Sequence, residues 1–337
     1  MKARPGNSCH LIAALLLLTA APAFASPNIN HPARFKVNSL HLESGPTRDW
    51  VYAVQRDATE YLWVGTDNGL RRYDGYEYTV FNYKPDDPDS LGSNSVFSLL
   101  IGSDQTLWAG GHVVSAFNAD TETFDNYPVT DGNIIWGMTE GPGRILWIGT
   151  EVFGLIGFDM RKREVIYHSL DEPRDKVREI PDTITKIIND RRDPSILWMT
   201  ATTGLFRFDT KTYTFERFYD EARLVATSML RMDSQGKIWM TSESGLYVID
   251  PETRTHRHYR HEKNNSRSLS TDILTGILID SKERVWIGTD KQGVHLYQPE
   301  TDDFLHIPAS ATEPGAFGPG AVTEIYEDVD GSLWFCV

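Results

Sequence analysis

Seven of the nine tryptophans stand on one repeating pattern, at Trp63, Trp108, Trp147, Trp198, Trp239, Trp286 and Trp334. Successive members are 39 to 51 residues apart. A period of this size, carrying short apolar alternations, is that of four-stranded propeller blades and is too long for most helical solenoid repeats. The best-preserved copy, Tyr61 to Gly75, reads Y-L-W-V-G-T-D-N-G-L-R-R-Y-D-G.

Within that copy the residues predict four strands: Val51 to Arg56, Leu62 to Gly65, Leu70 to Tyr73 and Tyr78 to Tyr83. Apolar and polar residues alternate in the first, and Asp57–Glu60 make the turn out of it. Asn68-Gly69 supplies the positive φ of a tight turn, and Asp74-Gly75 makes the next. The same pieces recur around Trp286, and the lead-in appears again as Asp233–Trp239 and Asp330–Trp334. The fold class expected is therefore all-β, a seven-bladed β-propeller of four-stranded blades whose last blade is incomplete at Val337. Phe35 to Leu42 reads as a stray fourth strand that closes the ring beside the last copy, one strand short of a full blade. The departures are local: Gly110-Gly111, Thr200-Ala201 and Thr241-Ser242 replace Gly-Thr, and Arg191–Pro194 lengthens one turn.

The N-terminus has the layout of a secretory signal peptide. Lys2 and Arg4 precede the run Leu11–Leu18, and Ala23-Phe24-Ala25 offers a cleavage site. The domain expectation is a signal peptide over 1–25, a short leader over 26–34 and the propeller over 35–337. Cys336 is then the one remaining cysteine, so packing without an internal disulfide must hold the fold. The chain carries a net charge of −14, which disfavours nucleic acid and anionic membrane surfaces as partners.

These motifs resemble the two-component regulator propeller family, whose repeat runs D-x-x-G-x-L-W-x-G-T-x-x-G-L-x-x-Y-D and then S-L-x-x-N-x-V. The last piece stands here as Ser90–Val96 and Ser268–Leu274. The resemblance implies the periplasmic sensor region of a receptor anchored in the inner membrane, with a histidine kinase or diguanylate cyclase output. On that reading this chain is a truncated piece, and the membrane is reached only through downstream segments. The intact receptor would be a homodimer.

No phosphate-cradling loop, nucleophile elbow or cysteine ligand set is legible, and no catalytic residue, metal or cofactor is expected. His256 and His258 share a strand face and form the best metal pair, though the outer strand they occupy gives a sufficient reason for polar residues. Asp57, Asp104, Asp233 and Asp280 sit where short acceptors cap turn amides. The candidate ligand site lies at the mouth carrying the second-to-third strand turns. Its polar members are Asp67, Asn68, Asn94, Asn133, Asp182, Asp272 and Asp290, and its aromatic members are Trp50, Tyr52, Phe97 and Trp136. Aromatic faces with polar neighbours suit a small-molecule or oligosaccharide ligand. The function expected is ligand sensing; the alternative is a secreted propeller enzyme, a polysaccharide lyase or glycosidase.

Overall fold

The computed structural model describes residues 11–15, 36–40, 50–171, 181, 183–219, 229–310, 317–318 and 320–337. Six blades are built from consecutive antiparallel strands. The first takes Val51–Arg56, Leu62–Thr66, Gly69–Tyr73 and Tyr78–Phe81. The second takes Ser98–Ile101, Leu107–Gly110, Val114–Asn118 and Thr123–Tyr127. The third takes Ile135–Gly141, Ile145–Thr150, Leu155–Asp159 and Glu164–His168. The fourth takes Ile184–Asn189, Ile196–Ala201, Gly204–Asp209 and Thr214–Tyr219. The fifth takes Leu230–Met232, Ile238–Ser242, Gly245–Asp250 and Thr255–Tyr259. The sixth takes Leu274–Ile279, Val285–Thr289, Val294–Gln298 and Asp303–Ile307. In each, the first strand is innermost, and consecutive innermost strands touch around the ring.

The expectation of seven like blades, the last unfinished, is corrected here. The remaining sheet is a composite of both chain ends, in the order Lys36–Leu40, Leu11–Leu15, Leu333–Cys336, Glu324–Glu327. Leu11–Leu15 lies within the expected signal peptide. It pairs antiparallel with Leu333–Cys336 on one side and with Lys36–Leu40 on the other. The reason is backbone valence: an unfinished sheet leaves a row of N–H and C=O groups open, and an extended segment that fills it satisfies them. The innermost strand of this sheet, Glu324–Glu327, touches the first strand of blade one, so the ring closes. Phe35, His41 and Leu42 lie outside the described residues.

The repeat motif is explained residue by residue. Six of the seven repeat tryptophans are buried, and Trp334 is half-buried. Each packs toward the next blade: Trp63 meets Phe117 at 4.8 Å, Trp147 meets Phe208 at 5.2 Å, and Trp239 meets Tyr297 at 5.1 Å. Phe117, Phe208 and Tyr297 occupy the Tyr column of Y-D, so that aromatic is the far wall of the preceding blade's tryptophan pocket. The indole N–H is held as well. It donates to the turn aspartate in five copies, from Trp63 to Asp57 (2.6 Å), Trp198 to Asp190 (2.8 Å), Trp239 to Asp233 (2.9 Å), Trp286 to Asp280 (3.0 Å) and Trp334 to Asp328 (2.9 Å). The other carboxylate oxygen caps turn amides, as Asp57 Oδ1 does for Thr59 and Tyr61. The Arg191–Pro194 insertion lengthens its turn and leaves the Asp190–Trp198 bond intact.

Glycine in Gly-Thr is required by close approach. A Cβ on Gly65 would lie 2.8 Å from the Val96 carbonyl oxygen, and one on Gly288 would lie 2.8 Å from Val322. The following threonine clamps the next turn, as Thr66 Oγ1 does by donating to Gly69 O at 2.8 Å.

Two stability outcomes follow. Trp198→Ala should cost about 3–5 kcal/mol in urea unfolding, since it empties a buried site. Asp190→Ala should cost about 1–3 kcal/mol by orphaning a buried indole N–H and turn amides. Burial raises the Asp190 carboxyl, but its bonds to Trp198 and to the Arg192 and Asp193 amides outweigh this and hold it below the usual carboxylate range. Its contribution is therefore full above about pH 4 and fades on acidification, so Asp190→Ala should also flatten the acid limb of the stability profile.

Candidate functional site

The innermost strands carry a repeated irregularity. Pairing with the second strand skips a residue between Val51 and Ala53, Ile135 and Gly137, Ile184 and Lys186, and Leu274 and Gly276. The bulged residues are Tyr52, Trp136, Thr185 and Thr275. A bulge releases a side chain from the ladder and re-aims it, and bulges recur beside functional sites.

On one arc the bulged residues Tyr52 and Trp136 are aromatic and are joined across blades by Phe97. Tyr52 and Phe97 lie 4.9 Å apart edge to face, and Phe97 and Trp136 lie 5.0 Å apart. All three are half-buried. His112 stands edge-on to Phe97 at 6.1 Å. Its Nδ1 donates to Gly132 O at 2.8 Å, which orients the ring and leaves Nε2 as the basic nitrogen. Across the ring the same level carries threonines: Thr275 Oγ1 donates to Val322 O at 2.8 Å, and Thr323 Oγ1 to Val51 O at 3.1 Å.

Of the expected site residues, Tyr52, Phe97 and Trp136 are brought together. Trp50 stands at the rim, 49% exposed, its amide donating to Asp67 Oδ1 at 2.8 Å. Asn68 is exposed in the same turn, its amide bonded to Thr66 Oγ1. The side chains of Asn94 and Asp272 each clamp the preceding blade, accepting from the amides of Tyr83 (2.8 Å) and His261 (2.6 Å). Arg260 also pairs with Asp272. Asn133 donates to Thr130 O, and the Asp290 amide donates to Ile273 O. Asp182 lies outside the described residues.

His256 and His258 have other engagements: His256 Nε2 lies 3.1 Å from the Tyr219 hydroxyl, and His258 Nε2 lies 2.8 Å from Ser244 O. His258 also stacks on Tyr247 at 4.0 Å. Among the described residues no group of three or more histidine, cysteine, aspartate or glutamate side chains is placed to hold a metal ion.

A separate cleft of about 390 Å³ lies on the rim of blade six, lined by His261, Glu262, Ser268, Ser270 and His306 among others. Its polar groups are largely spent on the loop itself. His261 Nδ1 meets Leu269 O, and Ser270 binds buried His295 through both its amide and its hydroxyl. We therefore place the candidate site at the aromatic arc.

Sequence reasoning missed Lys186, Arg231 and Glu324. They sit on the innermost strands of blade four, blade five and the composite sheet. Arg231 Nη2 reaches Glu324 Oε1 at 3.1 Å, and Lys186 Nζ lies 4.0 Å from Glu324 Oε2. The signal available was Lys186 and Glu324 at a strand position where blades one, two, three and six carry Ala53, Ser98, Gly137 and Gly276.

No protein-family model matches the sequence, and no curated protein matches it. In fold the chain is similar to the extracellular domain of a putative hybrid two-component system from B. thetaiotaomicron, with TM-score 0.70 and 16% identity over 89% of this chain and 40% of that one. The extracellular domain of a second such system from that organism gives TM-score 0.69 and 18% identity over 87% and 38%. The fold is that of these extracellular propellers. The chain spans about two fifths of each of them. It is also similar to a catalytically inactive virginiamycin B lyase from Staphylococcus aureus with quinupristin, at TM-score 0.64 and 12% identity over 88% of this chain and 97% of that one. Among the described residues no helix is long and apolar enough to cross a membrane.

Burial, with repulsion from His306 added, pushes His295 down to about 3. An imidazole held below its ordinary value of about 6.5 contributes full stability above that pH and loses it as pH falls, by about 1.4 kcal/mol per unit. His295→Phe should flatten the unfolding free energy measured between those limits.

Proposed function

We propose that this chain is the ligand-sensing propeller of an exported signalling receptor of the two-component type, and that the ligand is an oligosaccharide. The observation that carries the reading is the arc of Tyr52, Phe97 and Trp136. Three side chains from three adjacent blades, two of them at strand bulges, form a half-buried aromatic face at the mouth of the ring. Such a face stacks on the apolar side of a sugar ring while neighbouring Asp67 and Asn68 reach its hydroxyls. The likeness in fold to extracellular domains of putative hybrid two-component systems supports the receptor context. In this reading the protein is periplasmic, and a kinase or cyclase output lies on the far side of the inner membrane in a dimeric receptor.

The second reading, a lyase or glycosidase, is favoured by the likeness to the virginiamycin B lyase and by His112, an imidazole that stands edge-on to Phe97. The two separate by experiment. A sensor binds its oligosaccharide and releases it unchanged, whereas a lyase or glycosidase shortens it, and product analysis after prolonged incubation distinguishes them.

Titration of intrinsic fluorescence against an oligosaccharide panel tests the site. Trp136→Ala should weaken binding about tenfold or more, equal to about 1.4 kcal/mol, with the melting temperature unchanged. Trp239→Ala should instead lower the melting temperature. Equal thermal losses in the two variants would make Trp136 a core residue and remove the site.

A further inference from the structure

Blades four and five and the composite sheet are not all neighbours. The composite sheet is separated from blade five by blade six, so a contact from Arg231 or Lys186 to Glu324 has to run across the axis of the ring. Those contacts exist, at 3.1 Å and 4.0 Å. Their side chains keep limited exposure, 22% for Lys186, 28% for Arg231 and 12% for Glu324. Lys186 and Glu324 stand one residue below Thr185 and Thr323, each opposite the residue two beyond the repeat tryptophan. The equivalents in blades one, two, three and six are Ala53, Ser98, Gly137 and Gly276. Small residues thus line the channel at this level in four blades and Lys186 and Glu324 are its charges, while Arg231, opposite Trp239, stands two residues lower and reaches Glu324 with its long side chain. Gly137 also adjoins Trp136, and a Cβ on it would touch the Lys186 backbone at 3.3 Å. The charged level therefore lies directly beneath the aromatic arc.

Two cations share one carboxylate, so the level holds an excess positive charge inside a protein whose net charge is −14. A second anionic oxygen would meet two partly desolvated donors, one of them a guanidinium suited to planar bidentate groups. Burial already holds the Lys186 ammonium below the usual lysine range, against the opposing pull of Glu324. It follows that Glu324 occupies, from within the chain, the place a ligand anion would take.

We propose that Lys186 and Arg231 form an anion subsite at the channel level below the aromatic arc, that it takes the carboxylate or sulfate of an acidic oligosaccharide, and that Glu324 is the group this anion displaces. The inference rests on the sugar-binding reading above and adds the charge class of the ligand.

The test is calorimetric titration of the protein with a uronate oligosaccharide, its methyl ester, a sulfated oligosaccharide and a neutral one of the same length. At least one acidic member should bind about tenfold tighter than its uncharged counterpart, and which one identifies the group as carboxylate or sulfate. Lys186→Met should erase that preference and leave the uncharged ligand's affinity unchanged. Glu324→Gln should act in the opposite direction and tighten the acidic ligand, so the subsite is testable even where the lysine variant fails to fold. Equal affinity for acidic and uncharged ligands overturns the subsite while leaving sugar sensing in place. An acid preference that survives Lys186→Met and Arg231→Met, or a loss of affinity in Glu324→Gln, overturns it too. Binding of no member of the panel removes both readings.

Discussion

The hydrogen bond from the repeat indole to a turn aspartate is the interaction on which five of the seven sheets are organised. Burying a large aromatic supplies apolar contact, but its N–H loses water and must find an acceptor. The aspartate solves this from the turn between first and second strands and uses its second oxygen to cap that turn. One side chain therefore ties strand, turn and interblade core together. Blades two and three show the arrangement by its loss. There Gly102 and Gly141 stand in the aspartate column, and Trp108 and Trp147 have no hydrogen-bond partner for the indole N–H among the described residues. Trp147 is instead surrounded by Tyr167, Phe208 and Tyr213, so aromatic packing carries what the aspartate carries elsewhere.

Residues that recur in all or most copies are occupied by this scaffold. Tryptophan packs, glycine admits the next blade, threonine or serine clamps the turn, and the Tyr column forms the neighbouring pocket wall. Little of that chemistry is free to meet a ligand. The bulge position differs because its side chain is outside the ladder, so it tolerates Tyr52, Trp136 or Thr275 without altering the sheet. Variation concentrated at such points lets one rigid ring present an aromatic arc on one side and hydroxyls on the other.

The repeat and its strands were legible because tryptophan period and turn chemistry are local signals, and Val51–Arg56 is found where alternation put it. The turn aspartates were legible as caps, though their bond to the indole was not, since i and i+6 meet only once the hairpin is formed. Three of the four aromatic members, Tyr52, Phe97 and Trp136, emerged from one variable column, and these three converge. The backbone amides that engage Asn94 and Asp272 belong to the preceding blade and leave no trace in a linear pattern. For the same reason Lys186, Arg231 and Glu324 escaped notice: they meet across the axis. The composite sheet was only half legible, since period reveals how many strands a position wants and not which distant segment fills it.

Ring closure also sets an order of events. Arg56 pairs with Asp328, and the Arg56 amide donates to the Tyr326 hydroxyl at 3.2 Å, across 270 residues of chain. Blades one to six are hairpin-connected and can assemble from local contacts, whereas this seam must wait for both ends of the described chain. Loop-closure entropy rises slowly with length, so the wait costs little free energy, but it lowers the folding rate in the way that non-local pairing generally does. Until the seam forms, the six blades are an open arc, with the inner face of blade one uncovered and the channel not yet a channel. The cross-axis charges can meet only after that seam has formed, which makes a ligand-ready channel a product of completed folding and absent from the arc that precedes it.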